Sequence, residues 1–81
     1  VTGIVGEKAI WCGPAPEPAT QYRGFSQVRA HGSPLACTYS TDGESITVAL
    51  DEPLFGLATG QGLVIYDGDR VVGSATISAT L

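Results

Sequence analysis

Glycine and proline interrupt this chain so often that long helices are excluded. The 81 residues include 11 glycines and 5 prolines, and both residue types disfavour the interior of a helix. No window of useful length has apolar residues at the i, i+3, i+4 and i+7 spacing of an amphipathic helix. Short runs of alternating apolar and polar residues recur instead, separated by turn-forming residues. The sequence therefore predicts an all-β fold.

Six segments of the chain carry strand signals. They are residues 4–11, 22–31, 35–40, 46–50, 63–66 and 70–77. Residues 41–44 and 67–69 have the composition of hairpin turns, whereas the alternate prolines between residues 13 and 20 indicate an extended surface connection. Because closure removes the exposed edges of so small a sheet, we predict a small closed or nearly closed antiparallel β-barrel of about six strands, translation-factor-like in architecture.

The size and charge of the chain limit what it can be. Eighty-one residues suit one small domain, which leaves no deep cleft between two domains. No apolar run reaches the roughly 18–20 residues that cross a bilayer, and no secretory signal is visible, so we expect no membrane partner. The chain begins with Val1 rather than methionine, so we expect a piece of a longer protein. Its net charge of −4 argues mildly against a free-standing nucleic-acid binder.

The reactive side chains do not form a catalytic or metal-binding pattern. We expect Cys12 and Cys37 to be buried and reduced, although a small secreted disulfide domain, in which they would be bonded, stays open as an alternative. No Cys/His cluster is present, and His31 has no nearby Ser or Cys that a strand would force into contact. The turn at residues 67–69 lacks the further ligands of a calcium loop. We therefore predict no metal site and no catalytic residue in this chain.

One predicted strand face carries cationic and hydrogen-bonding groups. Alternation from residue 22 onward places Arg23, Gln27, Arg29 and His31 on the same face. Residues two apart on a strand are separated by about 6.6 Å, which is close to the phosphate spacing of an extended RNA strand. This row is therefore a candidate RNA contact, and the alternative is an ordinary solvated face of the barrel.

A second candidate contact is Gln61, which stands between Gly60 and Gly62. Glycines on both sides let the backbone approach another molecule closely and so present the amide. The alternative is a polar turn residue. Trp11 is more typical of a core or rim aromatic than of a base-stacking platform.

Three segments in order resemble a known family. They are VRAH (28–31), ITVALDEP (46–53) and ATGQGLVIYDGDRVVGSATI (58–77). Together they resemble the C-terminal β-barrel of the tRNA-specific 2-thiouridylases, which are also called tRNA (5-methylaminomethyl-2-thiouridylate)-methyltransferases. That barrel carries a basic Arg-aromatic-Arg strand, a DEP strand end, a PGQ loop and a YDGD hairpin. The match runs from about residue 7 to residue 77.

The resemblance implies a division of labour within a larger enzyme. The parent protein would bind ATP in an upstream domain, adenylate the wobble uridine of certain tRNAs and replace its C2 oxygen with sulfur carried by a catalytic cysteine. Those cysteines and the nucleotide loop belong to upstream domains. Residues 1–81 would then be the single C-terminal barrel of a cytoplasmic enzyme, with no cofactor of its own. Its partners would be tRNA, the upstream domains of the same chain and, for the parent, a sulfur-donor protein.

The resemblance also names site residues. Arg29 and Ala30 correspond to the family's tRNA-contacting Arg-aromatic pair, His31 to a second common Arg, and Gln61 to the tRNA-contacting Gln of the PGQ loop. The chain departs from the family pattern at Ala30 and His31, which weakens phosphate contacts and removes a stacking ring.

Two further departures lie beside these residues. Gln27 stands where a Lys is common, which removes another phosphate contact. Thr59 replaces the usual Pro before Gly60, which should leave the loop less rigid.

Two other functions fit a barrel of this kind. A translation-factor-like barrel, as in elongation factor Tu, also meets tRNA and would follow a GTP-binding loop ending in Gly-Lys-Ser/Thr. A structural or protein-interaction barrel would pack its acidic surface against a neighbouring domain, and changes at Arg29 and Gln61 would then leave tRNA binding unaltered.

Overall fold

The structure is a computed structural model that describes residues 1–28 and 32–81. It has six strands and confirms the predicted all-β class. The strands are β1 (Gly3–Trp11), β2 (Tyr22–Val28), β3 (Leu35–Thr41), β4 (Ile46–Leu50), β5 (Gly62–Asp67) and β6 (Arg70–Thr80). The last three predicted residues of β2, 29–31, lie outside the described residues. Within the described ranges, no helix is long and apolar enough to span a bilayer.

The sheet closes on itself, as predicted. The strand order is β1-β4-β3-β2-β5-β6, and β1 pairs with both β4 and β6 to complete the barrel. Every neighbouring pair is antiparallel. In one antiparallel pair that positions the candidate site, β2 pairs with β5 so that Phe25 faces Tyr66 and Val28 faces Leu63. Closure gives each of the six described strands a partner on both sides, which removes the free edges that could pair with another chain.

The alternating side chains of the strands build one core. β4 shows this most clearly, because its five residues alternate between buried and exposed positions, as the period of two requires. Burying one aliphatic side chain of this size contributes about 1.5–3 kcal/mol. The core residues come from all six strands and from the β4–β5 loop: Ile4, Val28, Cys37, Tyr39, Ile46, Val48, Leu50, Leu54, Leu63, Ile65, Val72, Ala75 and Ile77.

Trp11 packs against the core at the end of β1. Its indole Nε1 donates a hydrogen bond to the carbonyl oxygen of Gly43 at 3.0 Å. The ring lies over Gly73 so closely that a Cβ atom added there would be 2.5 Å from the indole. The structure thus gives Trp11 a packing role, in agreement with the interpretation of this residue as a core or rim aromatic.

The first and last residues of the barrel are joined by backbone hydrogen bonds. Thr2 N donates to Leu81 O at 2.9 Å, and Leu81 N donates to Gly3 O at 2.8 Å. Val1 and Leu54 bond reciprocally, with Leu54 N donating to Val1 O at 2.8 Å and Val1 N donating to Leu54 O at 2.7 Å. The two termini therefore lie side by side at one point on the barrel.

Candidate nucleic-acid interface

Gln61 ends the loop between β4 and β5 and is held by its backbone. Ile77 N donates to Gln61 O at 2.9 Å, and Gly60 N donates to Ile77 O at 2.8 Å. Gly60 has a φ of 88°, a left-handed conformation that a residue with a Cβ atom adopts only with strain. The loop is therefore anchored to β6 just before β5 begins, which fixes the place from which the Gln61 side chain projects.

The two ends of the Gln61 amide have different roles. Oε1 accepts a hydrogen bond from Ala58 N at 3.1 Å, which closes the last turn of the loop. Nε2 has no acceptor among the residues that the structure describes. Because a carboxamide nitrogen donates two hydrogen bonds, this group can bind an oxygen of another molecule. Gln61 is partly buried rather than fully exposed.

The other predicted contact residues, Arg29, Ala30 and His31, lie outside the described residues and stay predictions. The residue before them, Val28, is opposite Leu63, which follows Gln61 by two positions. On the other side, Gln27 Nε2 donates to Gly32 O at 3.1 Å. The described part of β2 therefore ends at the same end of the barrel as Gln61.

The alternation of side chains along β2 places Arg23 on the same face as Gln27. In the structure, however, the Arg23 guanidinium forms an ion pair. Its guanidinium donates to both Asp51 carboxylate oxygens, at 2.6 and 2.7 Å, and to Thr38 Oγ1 at 3.1 Å. Hydrogen bonding to Asp51 raises the pKa of Arg23, and the same bonds lower the pKa of the Asp51 carboxyl group. Arg23 is therefore already engaged with a carboxylate, and a bidentate pair of this kind ties β2 to the end of β4.

Acidic residues in two hairpin turns stabilise those turns. The Asp42 carboxylate accepts from Glu44 N at 2.9 Å and from Ser45 N at 2.8 Å, and these backbone hydrogen bonds lower its pKa. Asp67 pairs with Arg70 across the β5–β6 turn at 3.5 Å. In residues 1–28 and 32–81 no group of three or more His, Cys, Asp or Glu side chains is placed to hold a metal ion.

The two cysteines occupy different environments. Both are free, Cys37 is buried and Cys12 is exposed. Burial raises the pKa of the Cys37 thiol. The expectation that both thiols are buried is wrong for Cys12, which follows the last residue of β1: its backbone N still donates to Val72 O at 3.0 Å, but the residue is exposed.

The sequence analysis did not identify one exposed surface on the outer wall of β2 and β5. Phe25 projects from the outer face of β2 and is 43% exposed. It stands opposite Tyr66 of β5, and the two side chains line a groove on the barrel wall. The signal is present in the sequence, since alternation places Phe25 on the same face as Gln27. An apolar ring among polar neighbours on an outward face is the pattern that could have identified it.

Comparison with known proteins agrees with the motifs. The sequence profile of the family described as the aminomethyltransferase beta-barrel domain matches residues 1–77. The tRNA-specific 2-thiouridylase MnmA of Nocardioides sp. is 47% identical over 75 residues, which cover 93% of this chain and 20% of that protein. The corresponding protein of Streptomyces avermitilis is 47% identical over 81 residues, covering 99% and 21%, and that of Streptomyces griseus is 44% identical over 82 residues, covering 100% and 21%.

These matches cover nearly all of the chain but only a small part of each relative. The chain spans about a fifth of the length of the curated relatives it matches, and the similarity runs through nearly all of the barrel. The chain therefore belongs to the aminomethyltransferase beta-barrel domain family, and its predicted resemblance to the C-terminal barrel of the tRNA-specific 2-thiouridylases is confirmed.

Proposed function

We propose that this chain is the tRNA-contacting, non-catalytic barrel of an ATP-dependent tRNA 2-thiouridylase. The observation that carries the proposal is the 44–47% identity, over nearly the whole chain, to proteins named tRNA-specific 2-thiouridylase. In the proposed enzyme, other domains bind ATP, adenylate the wobble uridine and deliver sulfur to its C2 position, with a separate protein as sulfur donor. The enzyme works in the cytoplasm, and the barrel holds the tRNA while chemistry occurs elsewhere.

The geometry of Gln61 supports a contact with RNA. Its Nε2 is suited to a donor function, because Oε1 is already bound to Ala58 N at 3.1 Å. Phosphate oxygens, 2′-hydroxyl groups and base carbonyls all accept hydrogen bonds from such a group. The described end of β2, at Val28, is opposite Leu63, and Arg29, Ala30 and His31 follow Val28 in the sequence. Arg29 supplies the charge in the proposed contact and Gln61 the neutral donor.

The side-chain chemistry of the barrel supports a non-catalytic role. Cys37 is buried and its pKa is raised by that burial, so at neutral pH it stays a thiol, which is a poor nucleophile. The carboxylates of Asp42 and Asp51 are occupied by turn and ion-pair hydrogen bonds. These three groups are engaged in the fold, and in the proposed enzyme the sulfur-transfer chemistry belongs to other domains.

The experiment compares two arginines of the predicted strand 22–31, Arg23 and Arg29, in the full-length enzyme that carries this barrel. For Arg29→Ala we expect weaker tRNA binding and a shallower dependence of log K on log salt, with the slope falling by about 0.7–0.9 for each phosphate that the protein no longer neutralises. Arg23→Ala removes the same charge from a residue that is already paired with Asp51, so it is the matched control and should change the slope less. Equal slopes for the two variants would contradict a phosphate contact by Arg29.

A structural or protein-interaction barrel is the second candidate. It is favoured by Phe55, which is 82% exposed on the β4–β5 loop, and by the excess of eight acidic over four basic residues. This candidate predicts that Arg29→Ala and Gln61→Ala leave tRNA affinity unchanged. It also predicts that Phe55→Ser lowers the melting temperature of the full-length protein, because Phe55 would be buried against another domain.

A further inference from the structure

The outer wall of β2 and β5 contains an open groove with aromatic sides. Its volume is about 620 Å³ and it is lined by Phe25, Gln27, Pro34, Tyr66, Gly68 and Asp69. The groove forms because Phe25 and Tyr66 are direct cross-strand partners whose side chains project away from the core. It lies on the outer face of β2, which carries both Phe25 and Gln27.

Neither ring of this cross-strand pair is fully buried. Phe25 is 43% exposed and Tyr66 is partly buried. In the described part of the chain, the stacked aromatic pair is Tyr22 with Tyr39, whose centroids are 5.5 Å apart, so Phe25 and Tyr66 do not stack on each other. A cross-strand aromatic pair normally contributes to sheet stability through mutual contact. Here the exposed surface of Phe25 is available for contact with a ligand.

Two polar side chains of the groove, Gln27 and Asp69, offer oxygen atoms that can accept hydrogen bonds from a ligand. One N–H of the Gln27 amide donates to Gly32 O at 3.1 Å, and its Oε1 can accept a hydrogen bond from a ligand. Asp69 is exposed at the rim. The nearby cation Arg70 pairs with Asp67 at 3.5 Å. These acceptors disfavour a phosphate inside the groove and suit a planar ring that carries N–H donors.

We propose that this groove binds one unpaired nucleobase of the tRNA, stacked on Phe25 with its amino-bearing edge toward Gln27 and Asp69. This inference rests on the proposed function and adds a second contact to it. Stacking on aromatic side chains is the usual way in which proteins hold splayed bases of single-stranded RNA. Gln61 and Tyr66 are five residues apart along an extended segment, or about 16 Å at roughly 3.3 Å per residue. The stacked base and the partner of Gln61 therefore belong to different nucleotides, with the phosphates toward the Gln61 end.

The test uses two variants of Phe25 in the full-length enzyme with a tRNA transcript. Phe25→Leu keeps an apolar side chain and removes the ring, while Phe25→Tyr keeps the ring. Because stacking on one base is worth about 1–3 kcal/mol, we expect Phe25→Leu to raise the Kd for tRNA roughly 5- to 150-fold and Phe25→Tyr to leave it within about twofold. The salt dependence should not change with Phe25→Leu, since this side chain neutralises no phosphate.

The nucleotide itself can be identified with the same variants. Unpaired positions of the tRNA are made abasic one at a time, and the Kd is measured with the parent enzyme and with Phe25→Leu. At one position the abasic tRNA should bind both proteins equally, because base and ring belong to one contact and their effects do not add. If the effects of Phe25→Leu and of the missing base on the free energy of binding added at every position, the inference would be overturned.

Other outcomes separate this inference from the proposed function. If Arg29→Ala weakens tRNA binding and Phe25→Leu does not, the proposed function stands and the base-binding groove is wrong. If neither variant has an effect, both are wrong. If Phe25→Leu and Phe25→Tyr lower the melting temperature of the full-length enzyme without changing its Kd for tRNA, the groove packs against protein, and the inference is overturned.

Discussion

Gln61 offers a way to separate a structural from a recognition role within one side chain. Its Oε1 closes the loop through Ala58 N at 3.1 Å, and its Nε2 is the proposed donor to RNA. Gln61→Ala removes both groups. Gln61→Glu keeps an acceptor in the same place and removes the donor. Both variants should therefore weaken tRNA binding, and only Gln61→Ala should lower the stability.

The size of each effect follows from the hydrogen bonds involved. A hydrogen bond contributes about 0.5–1.5 kcal/mol, and an exposed one lies at the low end because water replaces it, so Gln61→Ala should lower the free energy of unfolding by about 0.5 kcal/mol. For a domain of this size that corresponds to about 2–4 °C in Tm. Gln61→Glu should leave Tm within about 1 °C. The anchors between Gly60 and Ile77 persist in both variants, since they involve backbone atoms.

For tRNA, both variants remove a hydrogen bond to a charged or polar acceptor. Such a bond to a charged group is worth about 1.5–3 kcal/mol, which is a roughly 10- to 150-fold rise in Kd. The new charge of Gln61→Glu also repels phosphate, so a matched control is needed. Gln21→Glu adds the same charge at an exposed position beside β3 and β4, which lie across the barrel from β5 and β6.

The assay combines thermal unfolding of the barrel domain with tRNA titration of the full-length enzyme at one fixed salt concentration. The result expected is a normal Tm with weakened binding for Gln61→Glu, and normal values of both for Gln21→Glu. If Gln61→Glu bound tRNA as tightly as the parent while Gln61→Ala did not, the loop shape alone would matter. The donor role assigned to Nε2 would then be refuted.

Three further predictions concern the fold. Gly73→Ala should cost about 1–3 kcal/mol of stability, because its Cβ atom would lie 2.5 Å from the Trp11 ring; an unchanged urea midpoint would contradict the observed packing. A maleimide should label Cys12 in the native protein and Cys37 only after unfolding, as mass spectrometry would detect; rapid native labelling of both thiols would count against the burial of Cys37. Since the pKa of Asp51 is lowered in the fold, its ion pair stabilises at neutral pH and is lost as pH falls below about 4. Asp51→Asn should therefore flatten the acid side of the stability curve, and parallel curves for variant and parent would exclude that contribution.

The fold could be predicted from the sequence because the relevant signals are local. The segment from Ile46 to Leu50 alternates in the sequence, and the structure buries every second residue. The hairpin turns likewise depend on a few adjacent residues, and their composition was sufficient. Strand ends differ by one to three residues, as for β5 and β6, because the ladder continues as long as a partner strand is present.

The site could be predicted only in part, because its contacts join distant residues. Arg23 reaches Asp51 across 28 positions, and only the register of β2, β3 and β4 brings them together. Alternation along the strand indicates the face on which Arg23 lies, but it does not indicate that Asp51 is its ion-pair partner. The bond from Ala58 to Gln61 is local, yet it depends on the loop conformation, which glycine spacing does not specify.

The hydrogen-bonded ends of the chain have a practical consequence. Because residues 2 and 81 are 2.9 Å apart between their backbone N and O atoms, a few added glycines would connect residue 81 to residue 1 with little distortion. The circle could then be cut at residues 68 and 69, which form an exposed turn. Such a circular permutant would keep all six strands in place, and the same proximity would let the whole module be inserted into a surface loop of another protein.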